Sequence, residues 1–531
     1  MLLLAVSVYG QVKVSGTVYD KELPLAGVPV SDGIHVVLTD SEGHYVLDCS
    51  PKVENIFITT PSGYVPASKD GVRPDFYVRL KKDGSEEVHD FVLKKEDQTD
   101  YSVIFMTDLH LTGADFKPDT QVFVEQAMPS IRRQAEAAAE HGPVYAFNLG
   151  DFSHERYWYE CDYNLEDAFK TFYDADFPVL MYSVPGNHDN DCAVSTSDTD
   201  WDAGHLYRKI FGPEYYSVNI GKDHWLFMDD IIYINGPFKP NKKRAPGAAG
   251  SLSYEKGFTK EQMDWLAQDL AYVPDSARVF ICTHSPIVSD SKKGYTFRQG
   301  QLDTLSSMFS RFGNVKVYAG HMHRMYFKRS EKFPIFETSV LVATSGDMWE
   351  SEPNRLLGIE GEDGGVFVVN HLAEGDRFTY YSHLYGEKVM RIYDLNPVRK
   401  HYMKDQAVRE QMKTYPERID YADKAYENMI LVNYWMYEAG HKVEIYEDGR
   451  QLEVRKVNYE DPLFNVSYYT HAFLGKRPIA PGQKTVGNHH AFAAKASSKR
   501  GKIVVKVLDV EGNLLYEETM KRPKAFKLDM E

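Results

Sequence analysis

Cysteine is scarce. The 531 residues hold four, Cys49, Cys161, Cys192 and Cys282, and no two of them stand in a CxxC pair. A disulfide scaffold and a zinc site built on thiolates are therefore excluded. Cys161 and Cys192 each fall a few residues beyond a polar motif described below, so they could pair in an oxidising compartment. Cys282, inside RVFICTH, reads as a buried core thiol. Long apolar runs are also missing, and no segment reaches the length that crosses a bilayer. The short run in MLLLAVSVYGQ resembles the h-region and cleavage site of a secretory signal peptide without its basic start. Residues 1–11 are thus read as the remnant of a signal peptide, with a first β-strand as the alternative, and the protein as periplasmic or secreted. No cysteine follows that run to take a lipid. Excess positive charge is absent too: 61 Lys and Arg face 77 Asp and Glu, a net charge of −16. Tracking a nucleic-acid backbone needs a basic face, so no nucleic-acid binding is expected. A small phosphorylated substrate stays open, because bound cations reverse a local field.

What is present divides into three parts, as a length beyond a single core requires. Residues 12–95 carry short β-branched runs, VKVSGTVYD, LAGVPVSDG and IFITTP among them, punctuated by Gly, Asp and Pro. They predict a β-sandwich. The charged stretch LKKEDQTD then acts as a linker. Residues 100–355 alternate strands with helices and predict an α/β domain. Its strands are YSVIFM, VYAFNL, FPVLMYSV, HWLFMD, ARVFICT, VKVYAG and SVLVATSG. Among its helices, Thr259 and Gln262 have the spacing of a capping box, and Leu302, Leu305, Met308, Phe309 and Phe312 share one face. From residue 360 to 531 the helices mostly fade, apart from a patch near Lys404–Met412. GVFVVNHL, RFTYYSH, HKVEIYEDGRQLEVRKV and KIVVKVLDVEGNLLYEE alternate as strands, with hairpin turns at EDGR and DVEGN. A second β-sandwich is expected there.

The α/β part places polar clusters just after its apolar runs. Asp108-Leu109-His110 follows the first, Gly150-Asp151 the second and Gly186-Asn187-His188-Asp189 the third. His284 follows RVFICT, and Gly320-His321-Met322-His323 follows VKVYA. In open α/β sheets that edge is where ligands bind. His, Asp and Asn form the nitrogen and oxygen donor set of zinc, iron or manganese. A single Asp-x-His is expected by chance about once in such a chain, but Gly-Asn-His and Gly-His-x-His only roughly 0.05 times each. A lone histidine here reads as an ordinary hydrogen-bonded residue; the ordered set reads as a metal centre.

The series D-x-H, G-D, G-N-H-D, H, G-H-x-H resembles the calcineurin-like metallophosphoesterase family over roughly residues 100–350. The flanking parts resemble those of an exported bacterial subgroup with a carboxypeptidase-regulatory-like β-sandwich in front and a β-sandwich behind. The resemblance implies a two-sheet α-β-β-α core carrying two transition metal ions, Fe, Zn or Mn. It implies Asp108, His110 and His323 on one metal, Asn187, His284 and His321 on the other, and Asp151 bridging both. A hydroxide activated by the metal pair would attack the phosphorus of a small-molecule mono- or diester. His188 would serve the leaving-group oxygen, with Asp189 orienting it or acting as a turn residue. One departure stands out. Protein phosphatases of the family carry G-D-x-x-D-R, whereas here His154 occupies the Asp position in Gly150-Asp151-Phe152-Ser153-His154-Glu155-Arg156. The carboxylate that positions the catalytic histidine is therefore expected to be missing, and His154 is read as a loop residue or a phosphate contact. Trp158, Trp201, Trp349 and the lysine-rich KPNKKRAPG are further candidates for a pocket wall or an anion attractor, each with plain packing or solvation as the alternative. A cell-envelope binding protein with an inactive domain of this fold is the competing reading, and the flanking domains could associate an enzyme with the envelope.

Overall fold

The structure, a computed structural model, describes residues 12–529 apart from 22, 114–118, 195, 197, 235–252, 290, 292, 354–355 and 476–486. The suspected signal peptide and the KPNKKRAPG stretch therefore lie outside the described residues. No helix among those described is long and apolar enough to cross a membrane. The chain divides into two compact units. The first holds residues 1–321, 329–339 and 367–379; the second holds 322–328, 340–366 and 380–531.

Within the first unit, residues 12–95 form two sheets, as their alternating pattern dictates. Val14, Val18, Tyr45, Leu47 and Phe91 bury one face while their neighbours stay open. This module is bonded to the α/β part. The indole of Trp265 donates to Ser31 Oγ at 3.1 Å, Tyr215 Oη donates to the Gly33 carbonyl at 2.7 Å, and Thr60 bridges Val218.

The α/β part builds two further sheets. In one, strands Tyr101–Met106, Val144–Asn148 and Leu180–Ser183 run parallel. In the other, Asp223–Phe227, Arg278–Cys282 and Val315–Ala319 run parallel, with Tyr216–Ile220 antiparallel at one side. Each parallel run is apolar on both faces because each strand is covered on both. The two sheets meet through aromatic rings. Phe105 stacks on Tyr318 at 4.2 Å, and Phe147 meets Trp225 and Phe227 edge-on at 4.9 and 4.8 Å. Helices make the crossovers. Met128–Ala138 buries Met128, Ile131, Ala135 and Ala138 at helical spacing, and Thr259 caps Lys260–Leu270 as its position predicts.

The boundary expected near residue 360 is not where the sheet ends. Phe367–His371 of strand Gly365–Leu372 pairs antiparallel with Tyr101–Phe105, and Gly375–Ser382 follows it in the same sheet. The runs GVFVVNHL and RFTYY thus join the first α/β sheet. Alternation specifies a strand but not its partner, which here lies more than 260 residues away.

The second unit contains two four-stranded sheets. Its helical content exceeds the single expected patch. Leu395–Lys404 and Gln406–Thr414 follow one another around Asp405, whose carboxylate caps the second, and a further helical stretch runs from Pro462 to Leu474. Leu395, Val398, Tyr402, Val408 and Met412 pack into one core with Leu431, Leu463 and Phe464.

Candidate metal centre

The ends of the six parallel strands bring these motifs to one edge. Three first-sheet turns are tied in register: Asp108 N–H donates to the Gly150 carbonyl and His110 N–H to the Asp151 carbonyl, both at 3.0 Å, and Val184 N–H donates to the Asn148 carbonyl at 3.0 Å. Gly320 N–H donates to the His284 carbonyl at 2.9 Å and links the second-sheet pair. Asp108, His110, Asp151 and His321 all adopt the left-handed backbone region, with φ of 52°, 46°, 53° and 67°. Asp and His tolerate that region better than most residues, and such clusters mark functional sites. The glycines of the motifs are needed for space. A Cβ on Gly186 would strike the Asp151 carboxylate, and one on Gly320 would strike Thr107 Oγ1 and Asp108.

Asp151 stands at the middle of the cluster. Its Oδ2 lies 3.2 Å from His284 Nε2 and 3.6 Å from His110 Nε2, and Asp108 Oδ1 is 3.7 Å from the same His110 nitrogen. Its Oδ1 accepts the His188 N–H at 2.8 Å. Around His284 the acceptors crowd. His284 Nδ1 faces the Leu149 carbonyl at 2.8 Å and must donate to it, which leaves Nε2 with its lone pair in the neutral ring. That Nε2 faces Asn187 Oδ1 at 3.1 Å, His321 Nδ1 at 3.1 Å and Asp151 Oδ2 at 3.2 Å. His321 Nδ1 can take either role with its tautomer, but the His284 lone pair and the two oxygens, Asn187 Oδ1 and Asp151 Oδ2, repel unless a proton or a cation lies between them. An imidazole held by a carbonyl at its far nitrogen is the usual arrangement of a metal-ligating histidine.

The electrostatics agree. Burial raises the Asp151 carboxyl, but His284, His188 and His110 together hold it well below the usual carboxylate range. Burial lowers His284, and the Asp151 carboxylate overcomes this and lifts it to about 10. Burial and the His284 charge drive His321 well below the usual histidine value, so its ring is neutral. Two further groups shape this edge. Asp230, at the end of strand Asp223–Phe227, accepts the backbone N–H groups of His284 and Ser285 at 2.8 and 3.1 Å and so fixes the His284 turn. Tyr254 Oη is 3.5 Å from His321 Nε2.

The expected partner of His188 is corrected. Asp189 does not orient it. Its carboxylate accepts three backbone N–H groups, from Gly186 at 3.0 Å, Ser153 at 3.0 Å and Phe152 at 3.2 Å, and so clamps the third turn to the second. Burial and the Asp151 charge raise it to about 7. The missing carboxylate is supplied by Glu155, fully buried, whose Oε2 accepts from His188 Nδ1 at 2.5 Å. Burial works to lower His188, yet Glu155 and Asp151 raise it to about 9. Position 155 is one residue later than the family spacing, and the single turn Glu155–Tyr157 swings it inward. His154 is a loop residue, but a buried one: it is 6% exposed, and its ring centre lies 4.1 Å from that of His188.

His323 follows His321 by two residues with the same left-handed backbone, φ 51°, and belongs to the second unit, where its Nδ1 lies 3.1 Å from the Gly346 carbonyl. Among the other candidates, Trp158 is buried and donates to Ser153 Oγ, and Trp349 is fully buried. No disulfide joins Cys161 to Cys192; all four cysteines are thiols.

Three family models match the chain: N terminal of Calcineurin-like phosphoesterase over residues 12–96, Calcineurin-like phosphoesterase over 101–325, and C terminal of Calcineurin-like phosphoesterase over 340–514. Solved structures also match. A dimetal phosphatase from Danio rerio is 14% identical, over 54% of this chain and 100% of that one, with a TM-score of 0.34. GAP50, the anchor in the inner membrane complex of Plasmodium, is 12% identical over 54% and 86%, with a TM-score of 0.34. A 5'-nucleotidase from Candida albicans is 14% identical over 54% and 52%, with a TM-score of 0.31. No curated protein gives a significant match.

Proposed function

The chain belongs to the calcineurin-like phosphoesterase family and is a hydrolase of phosphoester bonds; from that premise we propose that it cleaves a small-molecule phosphomonoester or diester at the strand-end centre, with two bound transition metal ions. The observation that carries this reading is the meeting of His284 Nε2 with Asn187 Oδ1, His321 Nδ1 and Asp151 Oδ2, all within 3.2 Å. This nitrogen and oxygen donor set suits iron, zinc or manganese. Asn187, His284 and His321 would hold one ion, Asp108 and His110 the other, with His323 joining them by the family motif and Asp151 shared. When bound, the pair neutralises phosphate charge and lowers the pKa of a coordinated water.

The chain's own groups do the rest. Leu149 and Asp230 fix His284, the one through its ring N–H and the other through its backbone. Asp189 locks the Gly186–Asp189 turn so that Asn187 and His188 face the cluster. Glu155 holds His188 in the protonated form, ready to give its Nε2 proton to the leaving-group oxygen. His154 lies beside it, its ring tilted by 35°, and narrows the approach. Export to the periplasm or beyond goes with this reading of the N-terminal run; fractionation of cells expressing the full gene tests it.

Metal analysis of the purified protein, with turnover of a chromogenic phosphomonoester and a phosphodiester, tests the proposal. Two transition metal ions per chain and turnover of either ester are expected. Full metal loading with no turnover across a broad phosphoester panel would contradict it.

A further inference from the structure

Within the second unit, helix Leu395–Lys404, the bend at 497–500 and the segment 523–526 line an open cleft of about 860 Å³. Its charge runs against that of the chain. The net charge is −16, yet Lys400, Lys404, Lys499 and Arg500 line this cleft, with Asp405 the one acid among the described lining residues. The Asp405 carboxylate is committed, since it accepts the Val408 N–H at 3.0 Å. The four cations are exposed. Lys499 pairs with Glu427 at 3.0 Å, whereas Lys400, Lys404 and Arg500 have no ion pair among the described residues.

A second observation lies beneath the charges. Arg522 is buried, and it donates to the Ser498 carbonyl at 2.6 Å and to Asp394 Oδ1 at 3.2 Å. Asp394 is the N-cap of helix Leu395–Lys404 and accepts the Asn396 N–H. Glu447 holds the same bend through the Ser497 and Ser498 N–H groups at 2.7 and 3.2 Å. One buried guanidinium therefore ties both cationic walls together, and their backbones are in place before any ligand arrives. Between the charges the lining is apolar. Pro397, Pro523 and Ala525 contribute to it, together with the half-buried Phe526. Phe526 packs against the core that contains Leu395 and Val398, and its ring meets His401 edge-on at 5.2 Å.

We propose that this cleft binds an acidic oligosaccharide, its carboxylate or sulfate groups on Lys400, Lys404 and Arg500 and a sugar ring against Phe526. Three features favour that ligand. Lys400 and Lys404 are four residues apart on one helix, so they stand about 6 Å apart, the scale of one sugar ring. The apolar lining suits the C–H face of a ring, which inorganic phosphate does not offer. The net charge of the chain repels a dense polyanion or an anionic membrane, but repels less a polymer whose charges are a whole ring apart. The volume suits a short oligomer rather than a single small ion. The site is independent of the phosphoesterase reading.

The test passes the full chain over an array of carboxylated, sulfated and neutral oligosaccharides of equal length, and titrates the best ligand by calorimetry at low and high salt. Binding confined to the acidic members and weakened by salt is expected. The double variant Lys400→Glu, Lys404→Glu and, separately, Arg500→Glu should each weaken it by roughly tenfold or more. These side chains are exposed, so the variants should keep the parent's Tm and its phosphoester turnover. An Asp151→Asn chain should bind the oligosaccharide like the parent, which separates this cleft from the strand-end centre. Failure to bind any acidic oligosaccharide, equal binding of neutral ones, or affinity that survives both charge reversals would overturn the proposal. So would tighter binding of a single-stranded oligonucleotide or of phosphatidylglycerol vesicles, or loss of binding in Asp151→Asn.

Discussion

Two of the places where the chain buries carboxylates next to imidazoles differ in what faces what. At the strand ends, His284 Nε2 looks at an amide oxygen, a carboxylate oxygen and another imidazole nitrogen. In the second unit, Glu360, Glu362 and His490 are equally buried and equally close. There, however, acceptors meet donors. Glu360 Oε1 takes Arg324 Nη1 at 3.2 Å and His489 Nδ1 at 2.6 Å, and Oε2 takes the His489 N–H at 2.8 Å. Glu362 takes the Met325 and Glu360 N–H groups at 2.9 and 3.0 Å. His490 finds Asn433 Oδ1 at one ring nitrogen, at 2.6 Å, and Glu362 Oε1 at the other, at 3.0 Å. The second cluster carries its own cation, the Arg324 guanidinium, and closes on itself. The first turns its lone pairs toward a shared centre. Residue type and proximity are the same in both; the direction of the donors separates a polar hub from a metal centre.

That comparison can be broken in several ways. Asp151→Asn has the largest expected effect: a fall in kcat of roughly 10³-fold together with loss of bound metal, read by steady-state kinetics and elemental analysis. An unchanged metal content with that loss of rate would confine Asp151 to the chemistry. His490→Phe in the hub should lower stability by about 3 kcal/mol in urea unfolding, because it strips a partner from buried carboxylates, while metal content stays as in the parent. Loss of a metal ion in that variant would erase the distinction between the clusters. Glu155→Gln should cost roughly 10²-fold in kcat. It should also move the alkaline limb of the kcat profile downward. His188 is held up at about 9 by Glu155 and Asp151, is protonated below that value, and loses its support when Glu155 is neutral. An unmoved limb would remove His188 from the acid role. The smallest effect is in binding. His284, lifted to about 10, carries a proton at neutral pH in the metal-free chain, so loading should release about one proton and weaken as the pH falls. Titration calorimetry in two buffers of different ionisation enthalpy reads this directly.

Much of this was legible in the residues. Apolar runs ending in Asp108, Asp151, Asn187, His284 and His321 are strands buried on both faces, and a buried parallel strand must end at a sheet edge. Local chemistry also announced the Thr259 cap. What escaped depended on distance along the chain. Glu155 meets His188 across 33 residues through one turn of helix, and no spacing rule reports that turn. Asp189 follows His188 directly, yet its carboxylate satisfies backbone donors that only the folded turn brings near. Asp230 carried a usable signal, an acid directly after HWLFMD on the edge where the other motifs gather. The pairing of Gly365–Leu372 with Tyr101–Met106 had none, because its run would serve any half-covered sheet.

Anomalous diffraction at the iron, zinc and manganese edges, on crystals of the full chain grown with those metals, is the most direct measurement. The expected result is two peaks roughly 3.5–4 Å apart on either side of the Asp151 carboxylate, one of them against His284 and His321. A single peak, or metal density at Glu360, Glu362 and His490 with none beside Asp151, would contradict the assignment.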